Sequence, residues 1–174
     1  KEAIFVQFLD SDFSLKIITI VEMDWPETHT FALPRPFNAL SLRLHGDSVI
    51  RDQNHRNVLK TGDVLFMPEN LAYSLDSGYE HIIVVHFELD GVQPNTFEVI
   101  SDLPHSNTVV NIFTSLRDSW RNKDSGYYFH CLSLLYRLFE LLVQKKTSPH
   151  SPSYHLIAPA MDYLHAHFAD SALT

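Results

Sequence analysis

Histidine is the commonest chemically versatile residue in this chain, with 11 copies, so the first question is whether several converge on a metal. A transition-metal site needs at least three His, Asp, Glu or Cys side chains aimed at one point. His81 and His86 lie five apart in an extended apolar stretch and so point to opposite faces of a strand. His165 and His167 lie two apart in a helical stretch and diverge by about 200° around its axis. Neither pair can chelate. Cys131 is the single cysteine, so no intrachain disulfide forms, and its helical apolar surroundings suit a buried inert thiol. The chain has five glycines and no G-x-S-x-G, P-loop or G-x-G-x-x-G motif. Paired carboxylates are not evident either, and enzyme classes lose most of their support.

What remains open is whether the chain holds an organic molecule, to which an arginine can give paired hydrogen bonds on vicinal hydroxyls or a carboxylate, and a tyrosine a ring for stacking and one hydroxyl. Each has a plainer reading, an arginine as a surface residue at a strand entrance and a tyrosine as a core residue bonded to backbone.

Short strands must position these groups. The stretches 14–23, 39–46, 63–68 and 81–89 are rich in β-branched or aromatic residues. Leu40, Leu42 and Leu44 alternate with Ser41, Arg43 and His45, which predicts one dry face and one wet face. Between them 51–57, 68–70 and 76–80 read as hairpin loops. The period changes after residue 104. Val109, Ile112, Phe113, Leu116 and Trp120 recur at helical spacing, with Asn107 or Thr108 as a possible N-cap. A second helix carries Leu132, Leu135, Phe139, Leu142 and Val143 on one stripe, widened by Leu134, Tyr136 and Leu138. Such a helix packs on the barrel and its neighbour, or leaves Leu135, Leu138 and Leu142 for a second subunit. TSPHSPS (147–153) reads as a linker and 154–174 as a third helix.

A net charge of −8 repels phosphate backbones and gives no basic footprint for nucleic acid in this segment. No run of 18 apolar residues occurs, and KEAIFVQFLD lacks the apolar core and cleavage site of a signal peptide, so a cytoplasmic location is expected, with no membrane partner. Residues 1–13 read as an ordinary first strand or as an arm that folds over a ligand.

The order Gly62, five residues, Pro68, Asn70 in a glycine-like place and then Tyr73 resembles the second cupin motif, whose last position is usually a metal-binding histidine. Counting back from Gly46, where the first motif ends, Ala39 falls at the usual glutamate position and Arg35 or Pro34 at that of a histidine. All four expected ligands are missing, so no metal and no cofactor is expected. Over nearly its whole length the chain resembles the N-terminal half of AraC-family transcription regulators. LPRPFNALSLRLHGDSVI looks like that family's Arg-Pro and following strand, LKTGDVLFMPENLAYSL like its Gly-Asp segment, and IIVVHFELDG like the strand ending in His-Phe. IAPAMDYLHAHFADSALT resembles the first helix of its DNA-binding half.

The resemblance implies an α+β fold: a cupin-like jelly roll over 1–104, paired dimerising helices over 105–146, the linker 147–153, and over 154–174 the first helix of a DNA-binding domain. It implies a small effector, often a sugar, homodimerisation through the helices, and DNA binding only through helix-turn-helix units beyond this segment. Arg35 then corresponds to the arginine that reaches the sugar in arabinose-type members, and Tyr73 to an inward-facing residue at the former metal position. Trp25 and His29 precede the Arg-Pro pair on the segment that closes the barrel mouth, and His86 has either facing. Ile82 and Val84 stand where arabinose-type regulators carry polar or aromatic groups, which argues against arabinose. Two other classes stay open. A cupin-fold sugar-modifying enzyme would need Tyr73 within hydrogen-bond reach of a His or Glu, and a purely structural dimerisation module would have a barrel filled by its own side chains.

Overall fold

In the computed structural model, which describes residues 12–91, 94–103 and 106–147, the extended half of the chain forms two antiparallel sheets. The strands are β1 (Ser14–Trp25), β2 (Thr28–Ala32), β3 (Asn38–His45), β4 (Ser48–Arg51), β5 (Arg56–Leu59), β6 (Val64–Met67), β7 (Tyr73–Ser77), β8 (Glu80–Asp90) and β9 (Glu98–Ile100). Helices α1 (Ser106–Asn122) and α2 (Tyr127–Thr147) follow. One sheet has the order β1-β8-β3-β6-β9 and the other β2-β7-β4-β5, the arrangement of a jelly roll. The four strands expected from sequence are β1, β3, β6 and β8.

Residues 51–57 do form a hairpin, between β4 and β5. Residues 68–70 and 76–80 do not: each carries the chain from one sheet to the other. Asn70 is in the left-handed region at φ 59°, the glycine-like conformation expected of it. Gly46 cannot be replaced without rearrangement, because φ is 87° and a Cβ would lie 2.1 Å from the carbonyl oxygen of Tyr79.

The five-stranded sheet is buried on both faces. One face, with Leu40, Leu42, Phe66, Ile83, Val85 and Phe87, packs against Val109, Ile112, Phe113 and Leu116 of α1 and Leu135, Leu138, Phe139 and Leu142 of α2. Fully burying each such side chain contributes about 1.5–3 kcal/mol. The other face, with Ala39, Leu65, Met67, Ile82 and Val84, meets Ile50, Leu59 and Leu75 of the four-stranded sheet. The alternation on β3 therefore separates two interiors, and its polar set of Ser41 and Arg43 faces the inside of the jelly roll rather than water.

Helix α1 buries four of the five positions that its spacing predicts, Val109, Ile112, Phe113 and Leu116, and leaves Trp120 half-buried. It begins at Ser106, so Asn107 and Thr108 lie inside its first turn and neither is the N-cap. It ends at Asn122, where Lys123 turns into the left-handed region (φ 54°) and its N–H bonds the Ser119 carbonyl at 3.0 Å. The lysine conformation costs about 1–2 kcal/mol, offset in part by this bond. Leu135, Leu138 and Leu142 are 0% exposed, which corrects the expectation that they meet a second subunit: both the sheet and α1 cover α2 on that side. Among the described residues no helix is long and apolar enough to cross a membrane. The linker 147–153, apart from Thr147 at the end of α2, and the third helix at 154–174 fall outside the described residues, as does most of the 1–13 segment.

Candidate functional site

Successive inward positions on four strands enclose a chamber of about 70 Å³ inside the jelly roll. Strand β3 supplies Ala39, Ser41 and Arg43; β8 supplies Glu80, Ile82, Val84 and His86; β6 supplies Leu65 and Met67; β7 supplies Tyr73 and Leu75. Met23 and Trp25 enter from β1, and Arg35 from the segment before β3. The chamber is apolar with a few polar groups, the usual composition of a small-molecule site. It thus unites Arg35, Tyr73, Trp25 and His86 among the residues singled out from sequence.

One bond to the Arg35 backbone and one to the side chain of nearby Asn38 tie the arginine segment to the turn after β6. The Arg35 carbonyl accepts the Asn70 N–H at 2.8 Å, and Asn38 Oδ1 accepts the Glu69 N–H at 3.1 Å. The turn whose glycine-like Asn70 resembled a metal motif therefore anchors the arginine segment. The guanidinium carbon sits 5.3 Å from the Phe37 ring centroid and 5.6 Å from that of Tyr73, within cation–π range. Arg35 Nη2 is buried and has no hydrogen-bond partner among the described residues.

Burial pushes the Tyr73 phenol up; Arg35 opposes this and Glu80 adds to it. Tyr73 meets these two through charge and not through a hydrogen bond. Burial, and then the Arg35 charge, lower His86, so it is neutral at pH 7, with its ring 4.8 Å from that of Phe37. His81 faces the other side of β8 and bonds Glu22 at 3.0 Å, as the five-residue spacing requires.

His29 does not belong to the site. The alternation of β2 turns it outward, its side chain is 71% exposed, and it pairs with Asp76, which also accepts from Arg51. It borders an open surface depression lined by Glu27, Thr28, Asp76, Ser77 and Gly78.

Sequence reasoning missed the most deeply buried charged groups among the described residues. Arg43, 5% exposed, forms an ion pair with Glu80, 0% exposed, and its Nη2 donates to Ser48 Oγ at 2.6 Å. Arg43 Nε and Glu80 Oε1 have no partner among the described residues. The available signal was the polar half of the β3 alternation: in a two-layered β fold the face that looks wet is the interior.

Arg35, Ala39 and Tyr73, three of the positions where a metal-binding cupin keeps ligands, all line the chamber, and none is a His, Cys, Asp or Glu. No group of three such side chains comes together among the described residues. The residues present do not fit a metal.

No protein-family model and no curated protein matches this chain. Its structure is similar to that of the AraC-like transcriptional activator CuxR, with 12% identity, a TM-score of 0.52, and coverage of 95% of this chain and 68% of that one. The fold is a cupin-type jelly roll with a helical pair. Weaker likenesses include ToxT from Vibrio cholerae solved with an unsaturated fatty acid (12% identity, TM-score 0.48, 79% of this chain and 56% of that one). The Clostridium difficile EutQ protein matches over 45% of this chain and 70% of its own, with 13% identity and a TM-score of 0.37.

Proposed function

We propose that this chain is the effector-sensing and dimerisation part of an AraC-type transcription regulator, binding a small polar molecule of carbohydrate type in its metal-free chamber. The observation that carries this reading is the chamber itself, with Arg35 Nη2 buried, unpartnered and seated among aromatic rings. A buried donor without a partner costs about 1–3 kcal/mol, which a ligand acceptor would recover. The likeness to CuxR along nearly the whole chain supports the setting, and DNA binding would belong to helix-turn-helix units beyond this segment. The cytoplasm is the matching compartment.

The volume limits the ligand. Small-molecule sites commonly measure about 300–1,000 Å³, so a full monosaccharide enters only if the segment carrying Arg35 moves outward. Effector binding would then be coupled to a shift of the barrel mouth, and a tenfold preference for one arrangement corresponds to about 1.4 kcal/mol. Homodimerisation through the helices would use residues left exposed on α2, such as Phe129, and not the buried leucines. The competing classes have less support. An enzyme reading asks for a hydrogen bond from Tyr73 to a His or Glu, which the described residues do not make, and a structural module asks for a filled barrel.

A thermal-shift screen with mono- and disaccharides tests the proposal. A ligand at 100 times its Kd adds about 2.7 kcal/mol, and Arg35→Ala should remove the shift. Trp25 lines the chamber, so its fluorescence should respond in a Trp120→Phe background. A screen without hits, and with Trp25 unmoved, would discard this function.

A further inference from the structure

The charges inside the chamber do not cancel. Arg43 is balanced by Glu80. Arg35 faces the rings of Phe37 and Tyr73 and forms no ion pair among the described residues. Burial and the Arg35 charge keep His86 neutral. One positive charge is therefore left over, in surroundings where an uncompensated ion is unfavourable until an anion meets it. A guanidinium pairs best with a planar carboxylate, which it can hold by two parallel bonds.

The Arg43–Glu80 pair presents a different demand. Arg43 Nε is a donor without an acceptor and Glu80 Oε1 an acceptor without a donor, both on side chains more than nine-tenths buried. A hydroxyl both donates and accepts, so it can satisfy the two together. The remaining walls include Leu65, Met67, Ile82 and Val84, which offer nothing to a long row of hydroxyls. The chamber, about 70 Å³, is well below the roughly 300–1,000 Å³ of common small-molecule sites, which favours a short ligand.

Resting on the reading of the chamber as a ligand site, we infer that its ligand is a short hydroxylated monocarboxylic acid of the sugar-acid type, with its carboxylate on Arg35 and a hydroxyl on Arg43 and Glu80. A single negative charge matches the single excess positive one. A phosphate would overcompensate it and be repelled by Glu80.

The test compares four probes on the 174-residue chain by thermal shift and calorimetry: D-glycerate, glycerol, propionate and inorganic phosphate. Glycerate carries both groups, while glycerol lacks the acid and propionate the hydroxyls, so each of those two should bind at least about tenfold more weakly. Arg35→Ala should erase the difference between glycerate and glycerol, and Glu80→Gln that between glycerate and propionate. The probe comparison needs no variant, so a misfolded Glu80→Gln would not undermine it. Glycerol or neutral sugars binding as well as glycerate would overturn the acid assignment and leave the chamber's ligand role standing, as would tighter binding of phosphate. No response to any probe or to the sugar screen would remove both.

Discussion

The two faces of the five-stranded sheet are built from the same strands and filled by different rules. Toward the helices, β3 gives Leu40 and Leu42 and β8 gives Ile83, Val85 and Phe87, which join α1 and α2 in one apolar core, with the buried Asn38 in the same alternation at the start of β3. Charges appear only at its rim, where Glu22 accepts from Arg117, Arg121 and His81. Toward the jelly-roll interior, β3 gives Ala39, Ser41 and Arg43 and β8 gives Glu80, Ile82, Val84 and His86. The helix-side face shows how this chain closes a surface when packing is the only demand. Against that standard, the chamber gathers three of the five buried side-chain atoms without a partner among the described residues, on Arg35, Arg43 and Glu80, the others being on Asn38 and Ser77. That concentration is a departure that stability does not explain. Sites that bind are where such departures are expected.

The largest effect should come from splitting the buried pair. Glu80→Leu leaves Arg43 charged and alone, and should cost about 3–5 kcal/mol in urea unfolding. Replacing both, as Arg43→Met with Glu80→Leu, should be close to neutral or stabilising while the ligand response is lost. A single variant costing under about 1 kcal/mol would mean that water already solvates these charges, and the contrast between faces would fail. On the helix side Leu135→Ala should cost about 2–5 kcal/mol, by lost burial and a cavity, and leave the response to ligand unchanged.

How far the sequence foretold this arrangement depends on what each signal measures. Period-two and helical patterns report burial on one side of an element, and they located β1, β3, β6, β8 and both helices. Strand β6 is as short as β4 and β5 but is an unbroken apolar run, VLFM, whereas SVIR and RNVL mix polar and apolar residues and at four residues give no period to read. Facing was harder. Arg43 read as solvent-exposed because alternation distinguishes two faces without saying what covers each. His29 read as a mouth residue by position, whereas one step along β2 turns it outward. Leu135, Leu138 and Leu142 read either as packed on the barrel and the neighbouring helix or as left for a second subunit, because the breadth of an apolar stripe does not say which; the sheet and α1 bury all three. Arg35 and Tyr73 were legible through motif spacing, since Gly62, Pro68 and Asn70 fix the turn that places both.

The rim offers a smaller, pH-dependent test. Burial by itself would raise the Glu22 carboxyl, but hydrogen bonds from Arg117 and His81 outweigh it and hold the group below its ordinary value. A carboxyl lowered in the folded state stabilises the fold above its unfolded pKa, here about 4.5, and that contribution disappears as pH falls through the folded value. Glu22→Gln should therefore lose about 1 kcal/mol at pH 7, and the gap between variant and wild type should close on acidification below the ordinary glutamate range. A gap that persists in strong acid would show that Glu22 acts by packing, and that the helix-side face depends on no charge at all.

The smallest change in stability should come from the residue on which the proposed binding depends most. Arg35 has no carboxylate to lose, and its two ring contacts are worth about 0.5–1 kcal/mol each at partly exposed sites. Against them stands the cost of its buried, unpartnered Nη2, about 1–3 kcal/mol, which truncation removes. The opposing quantities nearly cancel, so Arg35→Ala without ligand should unfold within about 1 kcal/mol of wild type. A ligand that stabilises the wild type should leave this variant unmoved. A residue kept only for the fold would show the reverse, a large loss without ligand and an unaltered ligand shift. Urea unfolding of both proteins, with and without ligand, separates the two cases in one experiment.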